Sequence, residues 1–229
     1  MSNPSTVILQ LAAAVANGIA TSQAVGAAGP LTINGSLASG GVATMDVARR
    51  IIIASAGADS AKVFTVTGTS RDGNTQSETI TGVATPTPVQ SVLDYKTVTS
   101  ILASAATAGN ITVGTNSVGS SVWVVDNFLA SSWALAGNIT CPAATTYTLE
   151  YTIDDPNDIG RTLFSEPQQF SVNPASFIPA HVYVYTTISG ATGDSRFGFP
   201  EGPIFAHRVT VNSGTGQVVM QSIQAGINS

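Results

Sequence analysis

Charge is what this sequence has least of. Only 9% of its 229 residues are Asp, Glu, Lys or Arg, against about 25% in an ordinary soluble domain. Eight basic residues oppose 13 acidic ones, for a formal net charge of −5. The basic residues are scattered, and only Arg49 and Arg50 adjoin. No basic stripe exists to neutralise a run of phosphates, which argues against direct nucleic-acid binding. A single cysteine, Cys141, rules out an intrachain disulfide framework. A β-rich fold without disulfides suits synthesis in a reducing cytosol. Long apolar runs are also missing. Residues 7–16 (VILQLAAAVA) are too short to cross a bilayer. They also lack the basic lead of a signal peptide, because the first basic residue is Arg49. No membrane partner is expected; the segment reads as a short helix or as the strand of an arm.

Gly, Ala, Ser, Thr, Asn and Val fill the space that charge leaves. Hydrophobic residues make up 43% of the chain, enough for a core. The surface they imply is neutral and hydroxyl-rich. Charge defends it poorly against self-association, so much of it is expected to be covered in an assembly.

Residues 49–82 set the pattern. Ile51, Ile52 and Ile53 end at a small-residue turn. Residues 63–69 then alternate, with Val63, Thr65 and Thr67 on one face and Phe64 and Val66 on the other. Asp72-Gly73 turns the chain into residues 75–81. Read in order, this is a three-strand meander. Residues 96–103 read as a further strand, with Val98, Ser100 and Leu102 on one face. Residues 116–121, small and polar, mark the boundary between halves. In the second half Tyr147, Leu149 and Tyr151 alternate with Thr148, Glu150 and Thr152. Residues 212–216 read as a hairpin turn joining the last two strands, and Trp123 and Trp133 as anchors of the second core. Many short strands with turns every 8–12 residues or so predict an all-β protein of two sandwich- or jelly-roll-like domains with little helix. The expected divisions are an N-terminal arm and lead-in strands (1–46), a first β domain (47–118) and a second β-sandwich domain (119–229).

Candidate chemistry is sparse. Asp154, Asp155 and Asp158, with Asn157, offer hard oxygen ligands to Ca²⁺. Their spacing lacks the central Gly of a calcium loop, and a solvated turn explains them equally. His181 and His207 would need further ligands to hold zinc. A Ser-His-Asp set is imaginable in a chain so rich in Ser, but no Gly-x-Ser-x-Gly elbow is present. Cys141 has no charged neighbour to lower its pKa and reads as a small buried residue. Trp123, Trp133, Tyr183, Tyr185, Phe197 and Phe199 would suit a sugar-binding face or, more simply, a core or subunit interface. No catalytic residue, resident metal or cofactor is expected.

Three strings in order, GIATSQAVGAAGPLTINGSLASGGVATMDVARRI, FTVTGTSRDGNTQSETITG and KTVTSILASAATAGNITVGT, resemble a recurring β-rich structural protein of tailed-bacteriophage virions. The likeness extends through YTLEYTIDDP and the segment 203–224. It implies a non-catalytic virion component on the outer head surface: a decoration or cement protein that binds the major capsid protein, bridges neighbouring subunits and self-associates as a dimer or trimer. Residues 161–179 depart from the pattern, being richer in Pro and Phe. The rival readings are a tail, fibre or head-to-tail connector component of the same virion, and a carbohydrate-binding module.

Overall fold

The computed structural model describes residues 3–71, 73–82, 87–126, 134–153, 182–199 and 204–225. In chain order the strands are β1 (Asn3–Leu9), β2 (Ala20–Gln23), β3 (Gly29–Pro30), β4 (Ala38–Ser39), β5 (Val42–Ser55), β6 (Val63–Thr69), β7 (Thr75–Thr81), β8 (Val89–Gln90) and β9 (Tyr95–Ala103). They continue as β10 (Ile111–Ser120), β11 (Val124–Val125), β12 (Ala134–Thr140), β13 (Thr146–Thr152), β14 (Val182–Val184), β15 (Ala191–Thr192), β16 (Ser195–Phe199), β17 (Ala206–Ser213) and β18 (Val218–Ala225). Among the described residues the sole helical element is the 3₁₀ turn Thr186–Ile188, and no helix is long and apolar enough to cross a membrane. The all-β expectation holds. The start of residues 7–16 is strand, not helix.

Two compact units divide the chain: Ala12–Ser117, and Met1–Leu11 together with Val118–Ser229. The lead-in expected over 1–46 is therefore shared out. Residues 12–46 fold with 47–117, and residues 1–11 with the last part of the chain. The break after Ser117 falls inside β10, within the small polar stretch that marked a boundary in the sequence.

In the unit 12–117 the strand order is β10-β5-β9-β6-β7. The β6–β7 hairpin forms as its alternation predicts. Phe64 and Val66 are fully buried, and Gly73 takes a positive φ of 83° at the turn. The meander does not form, because β9 lies between β5 and β6. The connection after β5 is tied elsewhere. Fully buried Asp59 accepts the hydroxyl of Ser55 and the amide N–H of Ala108 (2.8 Å), which pins this loop to the one after β9. The face expected of residues 96–103 also needs correcting. Thr67 faces Ser100 but Gly68 faces Val98, so Thr99 is an extra residue in the ladder. Such a bulge reverses the phase of the strand. Val98, Ile101 and Ala103 are buried, and Leu102 turns outward at 46% exposure. Val98, Ile101 and Ala103 pack with Ile51, Ile53, Phe64, Val66, Leu93, Tyr95, Ile111 and Val113 into one core.

In the other unit, one sheet has the order β1-β18-β12-β16. The facing sheet runs β14-β13-β17, and β11 and the end of β10 also pair with β17. Leu9, Leu135, Ile139, Phe197, Phe199 and Met220 of the first sheet, and Tyr147, Leu149, Val209 and Val211 of the second, are buried. Each large side chain contributes about 1.5–3 kcal/mol by leaving water. Residues 212–216 do not close a hairpin. β17 and β18 pair with different partners in different sheets, so this turn, with Gly214 at φ 92°, carries the chain from one layer to the other. The connections β12–β13 and β15–β16 change layers in the same way. They are tied together: Cys141 N–H donates to Asp194 Oδ1 (3.1 Å), Gly216 N–H to Thr145 Oγ1 (2.9 Å), and the Tyr147 hydroxyl to Gly193 O (2.8 Å).

Candidate functional site

The strand alternation of β17 sends His207, Val209 and Val211 into the sandwich and Arg208 and Thr210 the other way. His207 is fully buried. Its Nδ1 lies 2.9 Å from Asp126 Oδ2, and its Nε2 lies 3.0 Å from Ser222 Oγ on β18 of the opposite sheet. These are the side-chain types and contacts of a hydrolytic triad. The surroundings are not those of one. Ser222 is 3% exposed and Asp126 5%. The serine hydroxyl also reaches Ser5 Oγ on β1 (3.4 Å), and the ring of Phe197 stands 6.0 Å from the imidazole. A nucleophile must face a position that an electrophile can occupy. Among the described residues this hydroxyl contacts the histidine and Ser5 of β1. Its geometry makes the set a polar pin between two sheets.

A second polar tie lies on the opposite face of the same strands. Glu150 and Arg208 are direct cross-strand partners, and Arg208 Nε donates to Glu150 Oε2 at 2.6 Å. Both are buried, and the guanidinium lies 4.4 Å over the ring of half-buried Trp123. A buried pair of this kind contributes modestly to stability while both members are present and is costly to break.

The sequence-predicted candidates separate. Asp154, Asp155, Asp158, His181 and Trp133 lie outside the described residues. Among the described residues no cluster of three potential metal ligands occurs. Cys141 is buried, and that burial raises its thiol pKa. Phe197 and Phe199 are core residues. Tyr185 packs edge-on against Phe199 (5.0 Å) and donates its hydroxyl to Gly198 O (3.0 Å). Tyr183, 41% exposed, stacks on its ladder partner Tyr151 at 5.4 Å. The six-aromatic face is thus broken up, with two members inside and Tyr183 the one that most resembles a surface platform. Asp126 and Ser222 escaped the sequence reading. They stand 81 and 15 residues from His207, and no local motif links them.

No protein-family model matches the chain, and no curated protein matches it. Among solved structures, the infectious bursal disease virus VP2 subviral particle aligns over 100% of this chain and 77% of its own, at 9% identity and a TM-score of 0.16. A likeness that low carries no argument about fold or function.

Proposed function

We propose that this protein is a non-catalytic virion component that binds the outer capsid surface, bridges neighbouring subunits of the major capsid protein and so stabilises the head. The observation that carries the reading is the use made of its reactive side chains. Asp126, His207 and Ser222 are spent on holding two sheets together inside an all-β, charge-poor chain. The order of its strand motifs, read as resembling β-rich phage structural proteins, is what suggests a virion as the setting. Attachment would draw on apolar burial, about 25 cal/mol per Å² before the costs of association are subtracted.

The test is co-sedimentation of the recombinant chain with heads that lack it, at two salt concentrations. Raising salt from about 0.1 M to about 1 M shortens the Debye length from about 10 Å to about 3 Å. Apolar attachment predicts that the bound fraction survives the change. Clean release by salt alone, or no binding to heads at all, overturns the reading.

A further inference from the structure

We propose that β1 is an exchangeable strand, and that a second copy of this chain receives it along β18. Seven consecutive residues of β1 pair with β18, from Asn3 opposite Gln224 to Leu9 opposite Val218. The chain then leaves the sandwich for the whole of the unit 12–117 and returns at Val118. No short loop ties β1 to either sheet of its sandwich. It is kept there by its ladder, by buried Leu9 and Leu11, and by the contact of Ser5 with Ser222. Every copy of the chain offers the same β18 edge, so the same contacts form whether the strand comes from its own chain or another.

The joint behind β1 sets where exchange would pivot. Ala12 N–H donates to Asp46 Oδ2 (2.6 Å), and its carbonyl accepts from Arg49 Nη1 (2.9 Å). The same guanidinium holds the carbonyl of Asn116, where the chain is about to leave the unit (2.9 Å from Nε). Ala12 is thereby fixed within its own unit, so exchange would turn at exposed Gln10 and would have to release buried Leu11. Gln10 is exposed and makes one long contact, 3.4 Å to Thr215 O.

The acceptor edge is selective. Ser5, Val7 and Leu9 face inward, opposite Ser222, Met220 and Val218, all three of which are buried. A slip of one residue would turn the inward set out to solvent. An edge so matched to one sequence identifies the strand it takes as residues 3–9, and on exchange that strand comes from another copy. Neither β1 nor β18 carries a charged residue, so two copies meet without repulsion along this ladder. Strand exchange stands on topology alone and does not depend on placement in a virion.

Two single-cysteine chains test it, each also carrying Cys141→Ser. One bears Thr6→Cys and the other Gln221→Cys, at facing, exposed positions of the ladder. The two are tagged differently, mixed at high concentration and oxidised. A chain carrying both cysteines reports the pairing within one molecule and serves as the folding control. Exchange predicts a mixed-tag disulfide dimer as the main product, increasing with concentration. It also predicts that a fluorescent peptide of residues 1–11 binds the unlabelled full chain saturably. An intrachain bond in the control, with neither a mixed-tag product nor peptide binding, overturns the proposal.

Discussion

Removing His207 is the sharpest perturbation of the sandwich. The imidazole is fully buried, and both ring nitrogens have partners, at 2.9 Å and 3.0 Å. His207→Ala leaves the buried Asp126 carboxylate without that partner, strips Ser222 of the ring and opens a hole beside Phe197. Each buried polar partner left unpaired costs about 1–3 kcal/mol, so losing both should cost about 2–6 kcal/mol. Ser222→Ala removes a single hydroxyl and should cost about 1–3 kcal/mol, the usual penalty for a buried polar atom left unpaired. The double variant should cost less than the sum, because the two residues share one interaction. Urea unfolding followed by the fluorescence of the tryptophans gives all four corners of the cycle. At about 2–4 °C per kcal/mol for a chain of this length, His207→Ala lowers Tm by at least about 4 °C. If both single variants stay within about 0.5 kcal/mol of the parent, as ordinary surface substitutions do, the pin is not structural and the reasoning fails.

Three further outcomes are expected. Arg49→Met removes the guanidinium that donates to the carbonyls of Ala12 and Asn116 and to Asp46 Oδ1, and should destabilise by about 3 kcal/mol in chemical denaturation. Gly68→Ala places a Cβ against the carbonyl of Thr97 beside the bulge; faster amide exchange in β6 and β9 than in β18 would report that the strands have parted there. Burial pushes the Glu78 carboxyl from 4.5 up to about 7, although it accepts from the N–H groups of Val92 and Leu93 and lies near Arg50, with Asp94 opposing. A folded-state pKa above the unfolded value means that the native chain holds a proton the unfolded chain has released. The stabilising effect is complete below about 4.5 and is lost as pH rises to about 7. Glu78→Gln should flatten that part of a Tm-against-pH curve; an unchanged slope would assign the pH dependence to other groups.

The sequence disclosed those features that local chemistry controls. The β6–β7 hairpin follows from alternation and from the Asp-Gly turn, and β13 from its clean polar–apolar repeat. What stayed hidden depends on partners far along the chain. The insertion of β9 between β5 and β6 is decided by where the Asp59 loop is fastened. One extra residue, Thr99, reverses half a strand, and no period-2 count can foresee it. The turn at 212–216 has hairpin residues, yet the chain uses them to change layers, because β18 finds β1 and β12. Likewise the His207 pin joins three strands or loops that share no motif, and the placement of β1 becomes visible only through its ladder with the last strand.

Whether the chain serves on a capsid, as proposed, is tested most directly by cryo-electron microscopy of intact virions purified from cells that express the tagged chain, with the head reconstructed with its symmetry imposed. The account predicts tag-positive, all-β density on the outer head surface, spanning the boundary between neighbouring capsid subunits. Tagged density confined to the tail, or particles complete without the chain, would contradict it.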